Sequence, residues 1–166
     1  ARRMRALLRR GMPCDTVFAY SYAAARVFRA AKSLGLRTVL GQIDPGPVED
    51  EIVADLYRRA GQADRYERMP ATYWARWREE IELSDVVVAN SDWSKRALVR
   101  AGVPEGKIAI VPLAYDVSAE IPIPNGSRRP PPRFTQDRPL KLLFLGQVTL
   151  RKGIGPLLDA ISSMPG

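Results

Sequence analysis

Two cations and a glycine close a short loop near the end of the chain, Gly146-Gln-Val-Thr-Leu-Arg151-Lys152-Gly153. The apolar run Leu140–Leu145 before it reads as a buried strand. The pattern after it, through Leu157, Leu158 and Ala160, reads as a helix. A strand-loop-helix unit of this kind turns backbone N–H groups and the positive end of a helix dipole toward an anion, above all a phosphate. Gly146 would let the backbone come close to it. A lysine at a helix start opposes the dipole unless an anion lies between, which favours an anion contact for Lys152 over a plain surface lysine.

A second set of candidates lies earlier. Asp44 ends a predicted strand. A carboxylate there can orient or deprotonate a hydroxyl, but it also fits an Asx-type turn ahead of Pro45-Gly46, the more common role. Asn90 and Ser91 end another predicted strand. Ser91 reads as a helix N-cap, and Asn90 is placed to touch a ligand in a cleft. Glu79, Glu80 and Glu82 read as a solvated helix face. Trp74 and Trp77 read as core, and Cys14, ahead of a strand, reads as an inert packing residue. With no histidine in the chain, the usual general base, the serine-histidine triad and most zinc sites are excluded. No aspartate pair resembles a metal site.

The elements that must carry these residues follow from periodicity. Thr16–Tyr20 is a predicted strand and Ala23–Leu34 a helix, stopped by Gly35. Arg37–Ile43 is a strand and Val48–Ala60 a helix with Ile52, Val53, Leu56 and Tyr57 on one face. Gly61–Pro70 is a polar connection and Thr72–Leu83 an aromatic-rich helix. Asp85–Asn90 is a strand, Trp93–Ala101 a helix and Lys107–Val111 a strand. Alternating strands and helices predict an α/β fold, a Rossmann-like parallel sheet with helices on both faces. Residues 118–139 carry a proline cluster with little apolar periodicity and read as a linker. The expected organisation is therefore a partial Rossmann-like domain over 1–117, the linker over 118–139, and the first strand-loop-helix of a second such domain over 140–166. The chain begins at Ala1 without a methionine or a signal-peptide core, and is expected to be an internal piece of a longer protein.

Of the 166 residues, 46% are hydrophobic and 27% charged, a globular composition. The formal charge of +8, from 26 basic against 18 acidic residues, fits either anionic partners or a solvated arginine-rich surface. Nucleic acid is not expected, because the cations are dispersed and no recognition motif is present. The single cysteine fits a reducing, cytoplasmic setting. Arg2, Arg3, Arg5, Arg9 and Arg10 flank Met4, Leu7 and Leu8. That stripe suits either a soluble helix face or peripheral contact with an anionic membrane.

Ser84-Asp85-Val-Val-Val-Ala-Asn-Ser91, then Trp93-Ser94, Ala101-Gly102-Val-Pro104 and Lys107-Ile-Ala-Ile-Val-Pro112 through Asp116 resemble a hallmark of family 4 glycosyltransferases. Leu142–Gly146 and Arg151-Lys152-Gly153-Ile154 through Ala160 resemble the opening of that family's second domain. The resemblance implies a GT-B architecture, two Rossmann-like domains around a cleft. The activity it implies is retaining transfer from a nucleotide-sugar donor to a sugar, lipid or small-molecule acceptor, without a metal. It places the donor diphosphate against Gly146, Gln147, Arg151, Lys152 and Gly153, and the acceptor near Asn90 and Ser91. Many members of the family have a histidine for the acceptor near the place where this chain has Asp44, which is the catalytic candidate here. The family often has arginine where this chain has Gln147. Arg151 either replaces that charge or points to solvent. The alternative function is a non-catalytic nucleotide- or phosphate-binding module. A cytoplasmic location, with or without peripheral contact at the inner membrane, is implied by the same likeness.

Overall fold

Val17 and Ala19 alternate with Thr16, Phe18 and Tyr20, and this period-two pattern becomes the first strand of a parallel sheet. The computed structural model describes residues 6, 10, 14–114, 133–135 and 137–164. It divides into two units, Ala1–Leu113 and Ala114–Gly166. In the first, β1 (Thr16–Tyr20), α1 (Ala25–Lys32), β2 (Arg37–Gly41), α2 (Pro47–Arg59), α3 (Ala71–Leu83), β3 (Val86–Ala89), α4 (Asp92–Arg100) and β4 (Ile108–Ile110) follow in order. The strands lie side by side as β1-β2-β3-β4, all parallel.

The register pairs Val17 with Thr38, Ala19 with Leu40 and Leu40 with Val87. Val17, Leu40, Val87 and Ala89 thus share one face, and they join Ala24, Val27, Phe28, Ala31, Trp77, Ile81, Leu98 and Val103 in a single core. Fully burying a side chain such as Phe28 or Leu98 contributes about 1.5–3 kcal/mol. Cys14 packs at the edge of this core, as expected.

The expectation of helices on both faces does not hold among the described residues. Each connection steps one strand over in the same direction, and right-handed crossovers then put every connecting helix on one side. The opposite face carries Val39, Val86 and Val88, half-buried, with Phe18 and Tyr20 exposed. The rings of these two aromatics meet edge to face across the bare backbone of Gly41, where an added Cβ would lie 2.5 Å from Phe18. Strand order, which decides this layering, is not written in the periodicity.

Helix α2 buries Val48, Asp50 and Val53, while Ile52, expected on its inner face, is 46% exposed. The Asp50 carboxylate explains the difference. It accepts from Tyr66 Oη, Arg68 Nε and the Met69 N–H, and so fastens the connection over 61–70 to the helix. Burial and this bond push the Tyr66 phenol up to about 12.

In the second unit Leu150–Lys152 forms a 3-10 turn and Ile154–Ser162 a helix, α5. The run Leu140–Leu145 forms no strand, and Leu143 and Leu145 are almost fully exposed. A strand is stable only with a partner beside it, and no described strand pairs with this run. The only bridge described in this unit joins Thr135 to Arg138. Of the basic stripe, Arg2, Arg3, Met4, Arg5, Leu7, Leu8 and Arg9 lie outside the described residues, as does most of the linker over 118–139.

Candidate functional site

In a parallel sheet, ligands gather beyond the carboxyl ends of the strands. Three strand ends meet there. Past β1 come Ser21 and Tyr22, past β2 Gln42 and Asp44, and past β3 Asn90 and Ser91. The Ser21 N–H donates to Gly41 O and the Gln42 N–H to Val88 O, so the three ends stay in register beyond the strands.

Asp44 sits at the centre of a directed network. Its Oδ1 accepts from Tyr22 Oη at 2.6 Å, the Gly46 N–H at 2.8 Å and Gln42 Nε2 at 3.1 Å. The bond from Gly46 is the Asx-type turn anticipated from Asp44-Pro45-Gly46. The directions of these bonds follow from Trp77. Its indole nitrogen only donates, and it reaches Gln42 Oε1 at 3.0 Å in the core. That makes Oε1 the acceptor, so Gln42 Nε2 faces Asp44 and Tyr22 Oη as a donor. Tyr22 Oη in turn donates to the carboxylate. Asp44 is thus met by donors on every described contact, and its Oδ2 has no partner among the described residues.

Burial, and then the bond to Asp44, push the Tyr22 phenol well above its ordinary range, so it stays a donor. Tyr73 is raised by burial first and then by the Asp44 charge. Its ring stacks on Tyr22 at 4.9 Å, and Trp74 meets Tyr22 edge-on at 6.4 Å.

Glu80 supports this cluster from below. It is buried, not solvated as its charged neighbours suggested. Its Oε2 accepts the Tyr22 N–H at 2.6 Å, and its Oε1 the N–H groups of Ala24 and Ala25. Helix α1 has no side-chain cap of its own, so Glu80 supplies the acceptor that its first turn lacks. Its position was legible: three residues beyond Trp77 is the buried face of α3. Tyr22 and Gln42 carried no motif, and only their place after a strand end points to them.

Ser91 caps α4 as expected, its Oγ accepting from the Ser94 N–H at 3.2 Å. Asn90 is drawn into the same knot, Oδ1 accepting from Ser94 Oγ at 2.9 Å and Ser91 Oγ at 3.2 Å. Its amide nitrogen has no partner among the described residues. Asp85 stands at the opposite end of β3. It holds Thr38 and Lys32 rather than facing the strand ends.

In the second unit, Arg151 and Lys152 are exposed on the 3-10 turn. Gly153 follows at φ +75°, a left-handed backbone that glycine adopts without strain, and turns the chain into α5. Intrahelical bonding begins with the Leu157 N–H to Gly153 O. The N–H groups of Ile154 and Gly155 therefore lie ahead of the first bond, and follow the two cations in sequence. Gly146 and Gln147 begin the same loop, and Gln147 O accepts the Thr149 N–H.

Residues 1–119 match the family model for glycosyltransferase family 4. The chain belongs to that family. No curated protein and no solved structure matches it. The family 4 match spans the whole sheet and all three strand ends, so the Asp44 network lies within the glycosyltransferase domain. A glycosyltransferase handles a donor and an acceptor. Among the described residues no cluster of His, Cys, Asp or Glu could hold a metal ion, and no helix is long and apolar enough to cross a membrane.

Proposed function

We propose that the chain is part of a retaining enzyme that moves a sugar from a nucleotide-sugar to an acceptor hydroxyl, in glycan, polysaccharide or glycolipid synthesis. Membership of glycosyltransferase family 4 carries the reading. The polar strand ends support it, since an acceptor needs groups that orient a hydroxyl. Asp44 is the candidate for that role, because Oδ1 is fully engaged and Oδ2 is left to accept from the acceptor. Asn90 and Ser91 line the same edge. The donor diphosphate is assigned to the loop from Gly146 to Gly153, where Lys152, and Arg151 in place of the arginine absent at Gln147, stabilise the charge of the leaving group.

On this reading the bond from the anomeric carbon to the diphosphate breaks, the diphosphate leaves with the electron pair, the acceptor oxygen bonds to the anomeric carbon in its place, and the acceptor proton passes to Asp44 Oδ2. The domain boundary falls in the proline-rich stretch over 118–139, with the donor domain beginning at residue 140. The enzyme works without a metal ion, in the cytoplasm, with peripheral contact at an anionic inner-membrane surface.

The test is acceptor-dependent release of nucleoside diphosphate by the full-length protein carrying this sequence, over a panel of nucleotide-sugars with and without chelator. The expected product keeps the donor's anomeric configuration. Tight nucleotide binding with no turnover on any acceptor would instead mark a binding module.

A further inference from the structure

Tyr22 is the only described residue other than glycine with a positive φ, at +71°. A bulky side chain keeps a left-handed backbone only where its surroundings over-determine it, and such sites cluster where function requires them. A turn with no other role would use glycine. Here the surroundings are specific. The Tyr22 N–H is held by buried Glu80, its ring is clamped by Tyr73 and Trp74, and its hydroxyl makes the shortest of the three bonds to Asp44 Oδ1.

From this arrangement we infer that Tyr22 is a positioning residue for the acceptor step, holding Asp44 in the orientation that offers Oδ2 to the acceptor hydroxyl. The inference rests on the acceptor role of Asp44 proposed above. The Gly46 N–H and Gln42 Nε2 both reach Asp44 from its own loop. Among the described residues, Tyr22 alone reaches it from the neighbouring strand end, 22 positions away in sequence. It therefore fixes the loop after β2 against the end of β1, which the local bonds cannot do. With Gln42 Nε2 held as a donor by Trp77 Nε1 on the other side of its amide, Tyr22 Oη is turned to donate to Asp44 Oδ1, which it reaches at 2.6 Å.

The test is a cycle in the full-length protein of Tyr22→Phe, Asp44→Asn and the double variant. Tyr22→Phe keeps the ring and its stacking and removes one oxygen. It is expected to lower kcat/KM for the acceptor roughly tenfold, as loss of one hydrogen bond to a charged group does, with donor KM unchanged. In the Asp44→Asn background the same change is expected to cost nothing further, because there is no carboxylate left to position. Acceptor affinity by calorimetry gives the same comparison where turnover falls below detection. A tenfold loss in both backgrounds would mark a merely structural tyrosine and overturn the inference, as would unchanged acceptor kinetics in Tyr22→Phe. Wild-type kinetics in Asp44→Asn would remove the acceptor role of Asp44, and the role of Tyr22 with it.

Discussion

The Glu80 carboxylate accepts the Ala24 N–H at 2.8 Å across 56 residues of sequence. One side chain of α3 thereby closes the first turn of α1 and anchors Tyr22 beside Asp44. Glu80→Ala would strand three buried or half-buried N–H donors, and is expected to cost about 3 kcal/mol of stability in urea unfolding. Glu80→Gln, which keeps one acceptor oxygen, should cost about half as much. Equal losses for both would mean that packing, not capping, explains the burial of this residue.

Asp85 makes the acid side of the stability curve predictable. The Lys32 ammonium, bonded at 2.5 Å, and then the Thr38 N–H hold its carboxyl down at about 2. The folded value lies below the ordinary 3.8. Its stabilisation is therefore complete above the ordinary value and is lost as pH falls through the folded one. The side chain is 38% exposed, so screening limits the effect to about 1 kcal/mol. Wild type and Asp85→Asn should differ by that amount at neutral pH and converge as pH approaches about 2. Parallel curves down to that pH would remove Asp85 from the acid transition.

The elements of the first unit were legible because each carries its own period and its own stops. Ser91 reads as a cap from its place before α4, and Asp44 as a turn from Pro45-Gly46. The layering was not legible. Val86, Val87 and Val88 look alike in sequence, yet only Val87 faces the core, because strand order decides which side receives helices. Leu140–Leu145 has strand composition without a pairing partner, and composition alone cannot supply one. Within the site, Glu80 could have been found from its spacing to Trp77. The left-handed backbone of Tyr22 has no sequence signature, because glycine, not tyrosine, is the residue that marks it.

Lys107 lies in the segment that resembles a family motif, and the structure gives it a local role. Its Nζ donates to the carbonyls of Ser84, Ile81 and Glu82 at 2.9, 3.2 and 3.3 Å, closing the C-terminal end of α3. A cation there also suits the helix dipole. Lys107→Met should destabilise the protein by about 1–2 kcal/mol. Lys95→Ala, which breaks only a surface pair with Glu105, should barely move the unfolding midpoint. Comparable shifts for the two would refute the capping role.

The donor assignment is tested by two lysines that differ in position but not in charge. Lys152 stands on the turn that leads into α5, ahead of the N–H groups of Ile154 and Gly155, which have no partner among the described residues. Lys141 lies eleven positions earlier, outside the loop from Gly146 to Gly153. In the full-length protein Lys152→Ala should lower kcat/KM for the donor roughly ten- to a hundredfold, the loss of one charge-assisted contact of about 1.5–3 kcal/mol. Lys141→Ala should leave it near the wild-type value. Arg151→Ala should match the Lys152 loss only if Arg151 supplies the charge absent at Gln147, and adding Gln147→Arg to Arg151→Ala should then restore activity. An arginine at 147 would stand where the family often has one, so on this reading it can supply the cation lost at 151 to a diphosphate with several oxygens. Unchanged donor kinetics in Lys152→Ala would end the diphosphate assignment, and with it the reading of the loop as a phosphate site.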